Sequence, residues 1–548
     1  MSTATDLDAA PLQAAQAPRL RATTISIAIA VAIGFYLWRL IGLFTQFPGT
    51  RIDARFNQVV LEHLWLWTTG RADALADPAF FYPYKSILYL SDAHFGSGWI
   101  YVIFRALGAP REIAFDLWFL VGMATSFAAA AFVLRRFGLP TVAALFGACV
   151  FAFSLPMLAQ DAHAQLVYRF ATPLAALAAI EWLRGPSLRR LATLTLWVAW
   201  QFLCSVYLGV FLVEFLALFA AVASAARLRP RSAAPAGLPG AALAWLAAPA
   251  AALAAYMLWR HAEVSRSFGI QRMMSEVEGM APHWTSLLSQ QGAPTDAWFS
   301  SLLPQHTQYW QWEHQLFPGF GVLLLAAVGA WSAVAQRENR AAVAACVFAI
   351  LGLLALTMDI DGAGLYRWLA QAPGLNAIRS PGRVTLVMAF PLAWLAALGV
   401  ARLRQSGSQA AAVLLTVGLF LSLVDIAGYR SASVDIAASR ARVATMAAGL
   451  DGAALRAQRA VLVRFGDGET WDEAMQDIDL MIVAQDLGVS AYNGYSGSYP
   501  PMFKNPRNCA DARAVIASLD ALPFKRAGAD DVAARAVIVP PGACEGRQ

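Results

Sequence analysis

Residues 193–222 read TLTLWVAWQFLCSVYLGVFLVEFLALFAAV, thirty positions in which Glu214 is the sole charge. As one helix this run would extend about 45 Å, against roughly 30 Å of hydrocarbon in a bilayer. It is too long for one crossing and too free of charge for a soluble core. The reading that fits is two spans, 190–206 and 208–226, folded back on each other at CSVYLG (204–209).

The same criterion finds apolar stretches near 23–46, 112–134, 140–158, 166–183, 238–258, 317–335, 341–358, 384–401 and 409–427, eleven spans in all. Composition agrees: the 548 residues are 58% hydrophobic and 14% charged, where a soluble domain carries about 25% charge. The expected fold is a polytopic α-helical membrane protein. GWIYVIFRALG (98–108) is too short to cross and reads as a re-entrant or interfacial segment.

Orientation follows from arginine. Arg19 and Arg21 precede the first span. Arg135/Arg136, Arg184/Arg189/Arg190, Arg227/Arg229/Arg231, Arg337/Arg340 and Arg402/Arg404 each occupy a short loop at every second crossing. The positive-inside rule then places the amino-terminal tail (1–22) in the cytoplasm and, after eleven crossings of a transmembrane domain (23–428), the carboxy terminus outside. The net charge of +6 comes from arginine, with Lys85, Lys504 and Lys525 the only lysines, and no basic tract interleaved with aromatics points to nucleic acid.

Three outer loops are long enough to build a site: 47–110, 259–316 and 359–383. All seven histidines (His63, His94, His163, His261, His283, His306, His314) fall in or beside outer segments. The second loop carries Trp259, Trp284, Trp298, Tyr309, Trp310 and Trp312, as a sugar-stacking surface or, more simply, as a membrane aromatic belt. The tail, 429–548, reads as a small α/β domain. RAVLVRFGDG and ARAVIVPPG are its strands, WDEAMQDIDLMIVAQDLG a helix, and SAYNGYSGSYPPMF a turn-rich stretch. Cys509 and Cys544 lie together in this outer domain and are a disulfide candidate, whereas Cys149, Cys204 and Cys346 fall in spans.

Several outer side chains have the chemistry of a site. Asp53 in TRIDARF follows the first span, where a carboxylate serves as general base or cation ligand. Arg51 and Arg55 are four apart; on a helix they share a face, which favours an anion such as a lipid phosphate. The ordinary alternative is a solvated loop with snorkelling arginines. Asp92 and His94 in SDAHFG point the same way in an extended loop, suiting acid/base work or a metal pair. Arg379 and Arg383 in IRSPGRV suit phosphate binding, against ordinary interfacial pairing. His163 in AQDAHAQL is a weaker candidate, and an interfacial or capping role is its plain alternative. Glu181, Glu214 and Asp425 read as interfacial, while Asp116 is placed to line the site.

Taken in order, TRIDARF, FFYPY…SDAHFG, FAFSLP…HAQL, RSPGR and YNGYSG resemble the GT-C superfamily of membrane glycosyltransferases, in particular a broad set of poorly characterised bacterial members. The resemblance covers nearly the whole chain through short, degenerate motifs. It implies transfer, usually with inversion, from a polyprenyl-phosphate-linked sugar donor to a lipid, glycan or protein acceptor on the outer face of the inner membrane. It gives Asp53 the role of acceptor base or metal ligand and makes Asp92 a second first-loop acid, with His94 beside it. Arg379 and Arg383, with Arg51 and Arg55, would hold the donor phosphate, and His163, Asn493 and Tyr495 the acceptor. Many members carry an acidic pair at the first position; here Asp53 is followed by Ala54, which leaves open both the base and any divalent metal on Asp53, Asp92 and His94. No other cofactor is called for, and no Walker loop or Rossmann fingerprint is present. Besides the donor, acceptor and membrane lipids, no partner is implied. The rival readings are a transporter or flippase, disfavoured by the lack of repeats and of mid-span charge, and a noncatalytic scaffold for envelope assembly.

Overall fold

The computed structural model describes residues 21–225, 240–303, 311–335, 340–360, 362–371, 378–466, 471–541 and 544. The tail up to residue 20, with Arg19, and also Arg227, Arg229, Arg231, Arg337, His306, Tyr309 and Trp310 lie outside the described residues.

Each of the eleven apolar stretches holds a helix. Eight are long and apolar enough to cross a membrane: Ala22–Ile41, Arg111–Arg136, Thr141–Ala159, Val206–Ser224, Gly240–Ser267, Arg340–Thr357, Pro381–Ser406 and Gln409–Gly428. The other three, Ala171–Arg184, Leu188–Cys204 and Phe320–Ala335, have 14, 17 and 16 residues. The long run of 193–222 does break in two: Ser205 is extended, ending Leu188–Cys204 and preceding Val206–Ala225. Ser187 and Ser408 accept hydrogen bonds from Arg190 N and Ala411 N, so hydroxyls cap two helices where the chain re-enters the bundle.

Helix Thr385–Ser406 is the hub and is buried along most of its length. It meets Phe320–Ala335 at a crossing of two glycines: a Cβ on Gly399 would lie 2.0 Å from the Leu325 carbonyl oxygen, and one on Gly329 would lie 1.9 Å from that of Leu395. Small residues let membrane helices approach this closely, and dispersion between the backbones holds them. Gly98–Ala106 is an amphipathic helix with Trp99, Ile103 and Leu107 exposed and Ile100 and Tyr101 buried, as suits an interfacial segment.

The chain after residue 428 forms a three-stranded parallel sheet, with Val461–Arg464 between Ser490–Ala491 and Ala536–Val539. Cys509 and Cys544 are joined by a disulfide. One side of the sheet packs within the tail, through Leu462, Leu480, Val483, Ala484 and Val539, while Val461, Val463, Ile478 and Tyr492 share an apolar cluster with Phe56, Val59, Phe80, Phe81 and Tyr84 of the first loop. Gln46–Pro48 also pairs antiparallel with Ser433–Asp435. The first loop and the tail are thus one body, seated at one end of the helix bundle.

Candidate functional site

Asp53 opens the helix Asp53–Thr68, where a carboxylate also suits the helix dipole. The ribbon just described aims it: Gly49 N donates to Ala432 O at 2.9 Å. Gly49 has φ +107, and a Cβ there would meet the Ala54 Cβ at 2.6 Å and the Asp161 carbonyl at 2.9 Å. Ala54 is fully buried in that contact. A second acid at position 54 would place a carboxylate in this buried contact with Gly49.

Around Asp53 five stretches of chain meet. Tyr495 donates its hydroxyl to Asp53 Oδ1 at 2.9 Å. Arg379, beside it in charge contact, donates to Glu276 Oε1 at 2.9 Å. Arg383 donates through Nη2 to Glu313 Oε1 at 2.6 Å and to His163 Nε2 at 2.9 Å, with its guanidinium 4.9 Å from the Tyr207 ring centroid. Gln160 Nε2 holds the other Glu313 oxygen at 3.0 Å. Arg272 bonds the Gly497 carbonyl at 2.9 Å and pairs with Glu276, tying the second loop to the tail.

The electrostatics follow from enclosure. Burial raises the Asp53 pKa; the Tyr495 hydrogen bond and the charges of Arg379 and Arg383 oppose that, and Glu313 adds to it. Burial works against the charge on Arg379, but Tyr207 and Glu276 outweigh it and its pKa rises. His163 is held well below the ordinary imidazole range by burial, then by Arg383 and Arg379. Asp92 lies on the same side, taking weak bonds from Gln165 Nε2 at 3.4 Å and Val206 N at 3.3 Å. Burial raises its pKa, and Arg383 is among the charges it feels. An apolar cavity of about 210 Å3 is lined by Ser154, Leu155, Leu316, Met388 and Asp425 among others, and by Thr385, two residues after Arg383 in the chain.

Asp53, Arg379, Arg383, His163 and Tyr495 are therefore brought together, with Asp92 at the edge. The remaining candidates are placed elsewhere. Arg55 does not share a phosphate-facing surface with Arg51: it is 1% exposed and ion-paired to Asp479 of the helix Trp471–Leu487, while Arg51 stays on the surface before the helix. Docking of the tail, invisible to local spacing, captures Arg55. Asn493 is fully buried and works as a piece of strand, accepting from Arg464 N at 2.8 Å and donating to Arg464 O at 3.0 Å. His94 packs edge-on against Trp118 with ring centroids 5.5 Å apart, and burial alone pushes its pKa down to about 3. It does not pair with Asp92: at φ +55 its backbone leaves the extended conformation that pairing required. Asp116 is buried within a span and lines no part of the cluster. Asp425 binds Thr295 N and Oγ1, fastening the second loop to the last span.

Glu313, Glu276, Gln160, Tyr207 and Arg272 complete the site and were not legible as such. Glu313 sits in QWEHQ, where the tryptophans drew the reading to an aromatic belt. A divalent metal does not fit these residues. Asp53 feels the positive charge of Arg379 and Arg383, and among the described residues no three His, Cys, Asp or Glu side chains converge as ligands.

The profile of a family described as a domain of unknown function (DUF6311) matches residues 62–427. The chain belongs to that family. No curated protein matches it. The DUF6311 region contains Asp92, His163, Glu313, Arg379 and Arg383, while Asp53 lies just before it and Tyr495 in the tail beyond.

Proposed function

We propose that this protein is an integral membrane glycosyltransferase that moves a sugar from a polyprenyl-phosphate-linked donor to a lipid, glycan or protein acceptor. The site would face the outer side of a bacterial inner membrane, with the amino terminus cytoplasmic and the carboxy terminus periplasmic. One observation carries the reading: Asp53 lies in the charge field of Arg379 and Arg383, and Thr385, two residues past Arg383, lines an apolar cavity. A base, a pair of phosphate-binding guanidinium groups and a slot for a hydrocarbon chain are what such a donor requires.

In this reading the acceptor hydroxyl attacks the anomeric carbon as Asp53 takes its proton. The bond from that carbon to the phosphate oxygen breaks, and the electron pair leaves with the lipid phosphate, whose charge Arg379 and Arg383 meet. Attack opposite the leaving group inverts the anomeric centre. The raised pKa of Asp53 makes it a stronger base than a solvated aspartate. Arg272, Arg379 and Arg383 face Glu276, Glu313 and Asp53, so protonation of Asp53 leaves a positive site for an anion.

The test is lipid-linked glycan profiling of a deletion strain complemented with wild type, Asp53→Asn or Arg383→Ala. Loss of the glycan with both variants, each inserted at normal level, is the expected result. Full restoration by both would remove the proposed site. A reporter fused after residue 428 tests the orientation, and cytoplasmic activity there would place the tail inside.

A further inference from the structure

We propose that His163 donates its Nδ1–H to an oxygen of the bound phosphate, as a tautomer locked in place by Arg383. The proposal rests on the donor-phosphate reading above and gives that phosphate a third, uncharged ligand. The argument begins with the Arg383–His163 contact, in which Nη2 lies 2.9 Å from Nε2. A guanidinium only donates, so Nε2 presents its lone pair and the ring's one proton sits on Nδ1. A second proton would set an imidazolium against two arginines in a buried place, and burial with Arg383 and Arg379 keeps it off.

The ring cannot turn to a different arrangement without breaking a closed circuit. His163 N donates to Gln160 O at 2.9 Å, Gln160 Nε2 holds Glu313, Glu313 holds Arg383, and Arg383 holds the ring. Yet Nδ1, shut off from solvent, has no hydrogen-bond partner among the described residues. A buried donor left without an acceptor loses its hydration and gains nothing in return, so such groups are rare unless a ligand completes them. A site built to fix such a donor, beside two guanidinium groups, calls for an acceptor brought by the ligand, and the neighbouring charge makes that acceptor an oxyanion. Phosphate, with several non-bridging oxygens, can accept from Nδ1–H and from Arg379 together.

Two substitutions separate this role from simple support of Arg383. His163→Asn keeps an N–H donor near the Nδ1 position and gives up the acceptor for Arg383. His163→Gln keeps an acceptor near Nε2 and gives up the Nδ1 donor. Binding is measured on purified protein in lipid nanodiscs with three probes: a short-chain polyprenyl monophosphate, phosphatidic acid and inorganic phosphate. The expected result is polyprenyl-phosphate binding weakened roughly ten- to a hundredfold in His163→Gln and clearly less in His163→Asn. The same order with phosphatidic acid or inorganic phosphate alone supports the donor role and moves the ligand to that source. Any other order, including equal loss or no loss in both variants, overturns it. A wild type that binds none of the probes removes the donor-phosphate reading itself, and this proposal with it.

Discussion

If the proposed sugar transfer uses Asp53 as its base, removing the Tyr495 hydroxyl moves the acid limb of that activity to higher pH. Tyr495 donates to Asp53 Oδ1 at 2.9 Å, a bond that exists at full strength only while Asp53 is ionised. Hydrogen bonds to a charged acceptor contribute about 1.5–3 kcal/mol, and one pKa unit corresponds to about 1.36 kcal/mol. Loss of the bond therefore raises the Asp53 pKa by roughly one to two units, toward the lower figure because Asp53 is only partly buried and water replaces part of the bond. The sign is fixed: the bond favours the carboxylate, so its loss favours the acid, and the base appears at higher pH. Below the limb Tyr495→Phe should fall about tenfold in kcat/KM; above it the variant should approach wild type. The phenyl ring keeps its edge contact with Phe56, at 5.6 Å between centroids, so the tail loop stays docked. The assay follows release of polyprenyl phosphate from a panel of polyprenyl-phosphate sugars, in membranes of the complemented strain across pH. Tyr492→Phe is the control, because that hydroxyl donates to the Lys504 carbonyl at 3.0 Å and not to Asp53. An acid limb that stays put, or moves down, in correctly inserted Tyr495→Phe would refute Asp53 as the base.

Three further outcomes test the fold around the site. Burial lifts the Asp161 pKa from 3.8 to about 6 although Ala432 N bonds it. A raised acid contributes full stability below its unfolded pKa and loses it as pH rises to about 6, so Asp161→Asn should melt higher than wild type at pH 7.5, by up to about 3 kcal/mol, and like wild type at pH 3.5; an equal or lower midpoint at pH 7.5 goes against this. Gly399→Leu should deplete folded protein in the membrane, because its Cβ would meet the Leu325 carbonyl oxygen at 2.0 Å, whereas Gly34→Leu, with nothing within 4 Å, should not; fluorescence size-exclusion profiles decide between them. Opening the Cys509–Cys544 bridge, which closes a 35-residue separation, should cost the tail about 3–4 kcal/mol, seen as faster proteolysis after residue 428 in Cys509→Ser; unchanged proteolysis would mean that the sheet's shared core suffices.

The helices were legible because bilayer thickness acts locally: a run of apolar residues must be long enough, and charge must fall between runs. The same locality explains the failures. Arg55 was read with Arg51 because they are four apart, but its partner Asp479 lies over four hundred residues away and meets it only when the tail docks. Asn493 has the look of a ligand-binding amide, yet its two bonds to Arg464 complete a strand edge that no window of sequence reveals. His94 was paired with Asp92 on the assumption of extended backbone, which the chain does not adopt there. Arg379 and Arg383 were found for a different reason. In the orientation proposed here they stand on the side where the positive-inside rule disfavours arginine, and the structure pairs them with Glu276 and Glu313.

Glu313 also changes how the missing acid after Asp53 should be understood. The first loop carries a single acid here, and the next position, Ala54, is buried against Gly49. A carboxylate nevertheless stands in the same electrostatic field as Asp53, supplied by the second loop and bonded to Arg383 at 2.6 Å. Its position differs in consequence from that of a sequential pair. Two adjacent carboxylates raise each other's pKa and draw a cation, whereas a carboxylate bonded to an arginine has its charge largely met by that partner. Among the described residues Asp53, unlike Glu276 and Glu313, has no guanidinium hydrogen-bonded to it, its bond coming from a neutral hydroxyl. That is the arrangement a proton acceptor needs: enough burial to raise its basicity, and no strong ion pair to hold the proton off.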